Sequence, residues 1–148
     1  FITIAQSMQA SFAQGGVKVD LLPAAGSQVY ARVRAKQHQA AIRLWIPDYF
    51  DAHSNASAFA FNDGKSSTVA GLNGWKIPEL NKATLAAVAE PDVAKRLDLY
   101  KKMQEELQRN SPYVFIDQGK TQIVVRDNVK GYQQGLNADM VWYDRVTK

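Results

Sequence analysis

Hydrophobic and polar positions along this chain switch between a helical and an extended period several times. Ile4, Met8 and Phe12 recur every four residues and Gly15 and Gly16 follow, so residues 3–14 read as an amphipathic helix with a glycine stop. Residues 17–21, Val17 to Leu21, alternate apolar and polar as a half-buried strand does. Gly26 and Ser27 offer an N-cap ahead of Val29, Tyr30 and Val33, which predicts a second helix to residue 37. The apolar run over residues 40–45, ending at Trp45, predicts the next strand.

Beyond that strand, residues 52–73 are rich in Ser, Asn, Gly and Ala, with Phe59 and Phe61 as large apolar anchors, and read as a long ordered loop with one helical turn. Pro78 suits the first position of a helix running to residue 89. Pro91 and Asp92 then separate it from a helix of about 18 residues, on which Val93, Leu97, Tyr100, Gln104 and Leu107 share a face. Residues 113–117 and 122–125 are strand candidates in a hairpin around Gly119 and Lys120, and residues 140–143 are another. The order helix, strand, helix, strand predicts parallel βαβ geometry and an α/β fold. In open α/β sheets ligands gather beyond the carboxyl ends of strands, and residues 45–51 fall there.

Composition narrows the function classes. At 148 residues and 46% hydrophobic content the chain can bury one core. No internal repeat or interdomain linker breaks it. The opening Phe1, Ile2, Thr3 and Ile4 enter a helical pattern with no initiator Met and no leader-like basic region, and read as the interior of a longer chain. No apolar run approaches the roughly 20 residues that cross a bilayer, so no membrane span is expected. The absence of cysteine removes disulfides, thiolate nucleophiles and Cys-type metal sites. A net charge of +4 suits a polyanion, but the basic residues are dispersed in pairs such as Lys95 and Arg96 or Lys101 and Lys102, as on solvated helix faces. No basic stripe interleaved with stacking aromatics is present, so no nucleic-acid partner is expected.

Catalytic motifs fail on residue identity. Gly64, Lys65 and Ser66 resemble the end of a phosphate-binding loop, but the first glycine of that motif would fall on Phe59. His38 and His53 lie in no metal-ligand spacing and read as surface residues, so neither a metal nor a cofactor is expected. No Gly-x-Ser-x-Gly elbow occurs. Asn55, Ala56 and Ser57 match a glycosylation sequon and read as loop. Asp48 and Asp51 could serve as paired carboxylates, which need unequal pKa values.

The segment Trp45, Ile46, Pro47, Asp48, Tyr49, Phe50, Asp51 is the chemically richest in the chain. A carboxylate held between aromatic rings at a strand end is a seat for a cationic group. Equally, an Asp after a Pro is ordinarily a turn or capping residue, and Trp45 can be an inward strand residue filling the core.

This segment is followed by residues 74–81 (Gly74, Trp75, Lys76, Ile77, Pro78, Glu79, Leu80, Asn81), by residues 96–104 from Arg96 to Gln104, by Ser111 and Pro112, and by Val129, Lys130, Gly131 and Tyr132. In this order and spacing the series resembles the carboxy-terminal lobe of bacterial extracellular solute-binding proteins of the dipeptide and oligopeptide type, family 5. The resemblance implies a periplasmic-binding-protein-like (type II) α/β lobe with a mixed, mostly parallel sheet flanked by helices. Residues 1–148 would then form a single lobe fragment, with residues 128–148 returning toward the missing lobe and Tyr132 and Trp142 near the hinge.

The resemblance also implies the substrate-binding component of an ABC importer, periplasmic or extracytoplasmic, without catalysis. It would capture a peptide or related small solute between lobes and pass it to a membrane-embedded permease. Asp48, three residues after Trp45, matches the family position that accepts a peptide's free α-ammonium. Trp45, Tyr49, Phe50 and Asn55 would line the same cleft. Trp75 and Tyr100 read instead as packing residues, because each belongs to a helical segment whose periodic face accounts for it. One departure from the family is Asp51 followed by Ala52, where many peptide binders have an acidic residue followed by Pro. Two other classes compete: a small hydrolase or transferase using Asp48 and Asp51 as acid and base, and an interaction domain whose aromatic loop docks a protein.

Overall fold

Among the described residues six α-helices form where the chain can satisfy its own backbone, and the segments between them are turns, bends and irregular backbone. The computed structural model describes residues 1–135 and 140–148. It divides into two compact units, Phe1–Trp45 and Ile46–Lys148.

In the first unit, α1 spans Ile2–Gln14 and α2 spans Gly26–Arg34. Both end in the same way. At α1 the Gly16 N–H donates to the Ala13 carbonyl and Val17 to Phe12, with Gly16 at φ 78°. At α2 the Lys36 N–H donates to Val33 and Gln37 to Arg32, with Lys36 at φ 55°. This paired bonding satisfies the last carbonyls and requires a left-handed residue. It closes α2 at Arg34 rather than at the expected residue 37. Val33 is the buried side chain of α2, and the Arg43 guanidinium lies 4.2 Å above the Tyr30 ring.

The second unit is built on α3 (Ala52–Phe59), α4 (Val69–Leu72), α5 (Pro78–Ala89) and α6 (Val93–Asn110). The expected loop over residues 52–73 therefore holds two helices, each started by a side-chain cap that accepts a backbone N–H: Asp51 from His53, and Thr68 from Gly71. The core gathers Ala56, Ala60, Leu80, Ala87, Tyr100, Met103 and Leu107. The small Ala87 lets α5 pack closely along α6. On α6 the buried face is Tyr100, Met103 and Leu107, whereas Val93 and Leu97 of the expected face are exposed.

A polar knot ties the α3–α5 connection to the core. Asn62, 4% exposed, donates from its backbone to Asn81 Oδ1 (2.8 Å), and Asn81 Nδ2 returns to the Asn62 carbonyl (2.7 Å). Asn62 Nδ2 also reaches the Trp75 carbonyl at 2.7 Å, and its Oδ1 accepts from Gly64. Asp63 Oδ1 accepts from the Ser66 hydroxyl and from the Ser66 and Lys65 amides, which hold its carboxyl well below the usual carboxylate range. Such mutual satisfaction is what permits a buried polar side chain.

The expected α/β fold with a mixed, mostly parallel sheet is not formed: the structure is helical, and no strand or sheet occurs among the described residues. Residues 17–21, 40–45, 113–117 and 122–125 run without helix, but no backbone ladder joins them. A strand leaves its N–H and C=O groups pointing sideways and is completed only by a neighbour in register, whereas a helix completes itself. Local alternation therefore marked segments that do not coil, but the strand pairing it predicted is not formed. Strand-like pairing among the described residues is confined to two isolated antiparallel bridges near the end, Lys130 with Thr147 and Gln134 with Val141. Val141, in the expected strand at 140–143, takes part in one of these, while a 3₁₀ turn occupies Tyr143–Arg145. Within the expected return at 128–148, residues 136–139 lie outside the described residues.

Candidate functional site

The acidic and aromatic segment forms a bend through residues 48–51 that leads into α3. Asp48, Tyr49 and Phe50 are all exposed on it, Phe50 at 73%. Asp48 makes no hydrogen bond or ion pair within the described residues. Its carboxylate is thus available to an outside cation, with an aromatic residue following it.

Asp51 has the opposite character. Its Oδ1 accepts the His53 N–H at 2.7 Å, capping α3, and the Arg96 guanidinium at 2.6 Å. Both side chains of this pair are about two-thirds covered, with relative exposures of 33% for Asp51 and 29% for Arg96. Arg96 also lies 5.2 Å above the ring of Tyr100 and 3.5 Å from its hydroxyl. The Arg96 hydrogen bond, and then the His53 amide, lower the Asp51 carboxyl from its ordinary value. Reciprocally, the bond from Asp51 raises the Arg96 guanidinium. Tyr100 is raised by burial, with Arg96 opposing. The Asp51 N–H donates to the Tyr49 carbonyl at 3.0 Å, which fixes the bend.

The remaining expected site residues are dispersed. Trp45 is the last residue of the first unit and 37% exposed, and Asn55 is exposed on α3 beside the buried Ser54 and Ala56. Asp48, Tyr49 and Phe50 share one bend. His38 and His53 are half-buried rather than surface residues, and His53 Nδ1 is covered without a hydrogen-bond partner. No group of three or more His, Cys, Asp or Glu able to hold a metal occurs among the described residues.

Tyr100 and Trp75 pack as expected, Tyr100 in the core and Trp75 against it. Tyr113 stands edge-on to Phe59 (5.4 Å) and to Trp75 (5.7 Å), while Phe115 meets Phe59 at 5.8 Å. Burial pushes the Tyr113 hydroxyl up to about 12.

Arg96 is the residue that sequence reasoning missed. Paired with Lys95, it read as part of a solvated helix face, and nothing local connects it to a carboxylate 45 positions away. Asp51 did carry a signal, since an Asp immediately before a helical stretch is an N-cap signature.

Over 129 residues the chain is 26% identical to the dipeptide-binding protein of Escherichia coli (strain K12). It is similar to a dipeptide-binding protein. The match covers 87% of this chain and 24% of that relative, so the chain spans about a quarter of the relative's length. Any contiguous match of that size takes in residues 20–129, and with them the bend, Asp51 and Arg96. No family model matches the chain, and no solved structure matches it. No helix is long and apolar enough to cross a membrane among the described residues.

Proposed function

We propose that this chain is part of a solute-binding protein that captures peptides by their free α-ammonium, with Asp48 as the accepting carboxylate, and serves an ABC importer of an extracytoplasmic compartment. The likeness to a dipeptide-binding protein along 87% of the chain carries this reading. The geometry of the bend supports the residue assignment. Of its two carboxylates, Asp51 is engaged by Arg96 and by the α3 cap, and Asp48 is the one left to a ligand. A charge-assisted bond from an ammonium to Asp48, sheltered by Tyr49 or Phe50, would fix the end common to all peptides and leave side chains to looser pockets. The other end of the ligand would be held by chain beyond this segment, and a membrane permease would receive the solute.

Catalysis by Asp48 and Asp51 is the weaker reading. A general acid needs a carboxyl raised toward neutrality. Asp51 is displaced the other way by Arg96.

Native mass spectrometry of the full-length protein that carries this segment, purified gently from its host, tests the proposal. Small peptides should co-purify with the parent and be lost from Asp48→Asn. Equal retention by the variant would return Asp48 to a turn role, and a different bound solute would replace the ligand.

A further inference from the structure

Three features of the second unit are left unused by the proposed function: the exposed apolar residues Leu85 and Val88 on α5 with Val93 and Leu97 on α6, the edge-on aromatic group around Tyr113, and the ion pair of Asp51 with Arg96. The first has nothing to identify what would cover it. The second accounts for itself as packing. The ion pair reaches the site.

From core to bend the connection is continuous. Tyr100, 4% exposed, belongs to the core and supports the Arg96 guanidinium on its ring and hydroxyl. Arg96 grips Asp51 Oδ1, the same oxygen that caps α3, and the Asp51 N–H holds the carbonyl of Tyr49, the residue next to Asp48. Residues 46–50 have no helix or strand of their own, and Asp51 N–H to Tyr49 is the backbone bond that restrains the bend from within the described residues. A carboxylate on an unrestrained loop would have to be ordered at each binding event, which weakens capture. A side chain held by a second layer of packed partners avoids that cost.

We infer that Arg96 and Asp51 are positioning residues for ammonium capture, clamping the bend to α6 so that Asp48 is presented to the ligand in one orientation. This rests on the proposed role of Asp48. Arg96 acts only through the bend and touches no ligand.

The test is a double-mutant cycle in the full-length protein, read by calorimetric titration of a dipeptide and of the same dipeptide N-acetylated. Arg96→Met should weaken the free dipeptide about tenfold, within the range for groups coupled through one hydrogen-bonded segment. It should add no further loss in the Asp48→Asn background, and it should leave the N-acetylated form unchanged. Arg96→Lys, which keeps the charge, should recover part of the affinity. Asp51→Ser, which keeps a capping oxygen for α3 but no charge, should behave as Arg96→Met does.

A similar loss with and without Asp48, or for both ligands, would mean a general structural role and overturn the inference. Should Arg96→Met fold poorly, Asp51→Ser decides by the same criteria. If Asp48→Asn weakens binding while both clamp variants bind normally, the clamp falls and the function stands. If Asp48→Asn binds normally, both fall.

Discussion

The helical body of residues 52–110 and the helix-free stretch of residues 112–125 follow one another directly, yet they differ in how the backbone is satisfied. In the body, α3, α5 and α6 bond internally and bury Leu80, Tyr100 and Met103 between them, while Asn62 and Asn81 close the connection with paired amides. In the stretch, no backbone–backbone hydrogen bond is made within the described residues, and Val124 is 95% exposed. The apolar content of the two is comparable, so hydrophobicity alone does not decide order. What separates them is whether the polar backbone can be satisfied by neighbours in sequence.

Truncation should break the comparison most visibly. Met103→Ala removes a side chain packed in the core at 3% exposure and is expected to cost about 3 kcal/mol in denaturant unfolding. Val124→Ala, by contrast, should change stability by less than about 0.5 kcal/mol. Equal effects would mean that the stretch is as well packed as the body.

Next in size is Asn62→Ala. It leaves the Trp75 carbonyl and the Gly64 N–H without their side-chain partner, and should cost about 2 kcal/mol. A loss no greater than that of an exposed Asn, such as Asn110→Ala, would show that the knot follows the packing rather than securing it.

Lys36→Gly sharpens the role of local closure. Lys36 holds φ 55° at the end of α2, where a side chain is strained, so glycine should stabilise the first unit by about 1 kcal/mol. Urea unfolding followed by amide hydrogen exchange of α2 checks this, and destabilisation would show that the lysine side chain contributes more than its strain.

The smallest effect is in acid. Because the folded Asp51 carboxyl lies below its unfolded value of 3.8, the folded state binds fewer protons, and its contribution is present above pH 3.8 and lost as pH falls through the folded value. With both side chains partly exposed, the contribution should stay under about 1 kcal/mol. Acid titration of Arg96→Met should show a shallower decline than the parent, and an unchanged slope would remove the ion pair as its source.

The helices were largely legible in the sequence because their signals are local. Gly15 and Gly16 ended α1, Pro78 began α5, and Pro91 with Asp92 separated α5 from α6. Residues 52–73 were read as loop because their small and polar residues resemble one, and two capped helices form there around buried Ala56, Ala58 and Ala70. The bend at Asp48 was legible as chemistry, from residue types alone. Its support was not, since Arg96 reaches Asp51 across 45 positions.

By itself, then, the sequence determined where α1, α2, α5 and α6 coil and that an Asp stands among aromatics in residues 45–51, since periodicity, caps and residue chemistry act within a few residues. Tertiary structure alone decided that the extended segments form no sheet, that Met103 rather than Val93 or Leu97 faces the core, and that Asp51 is engaged while Asp48 is not. Those outcomes depend on partners distant in the chain, and the energy of a strand ladder or an ion pair exists only once both members are brought together.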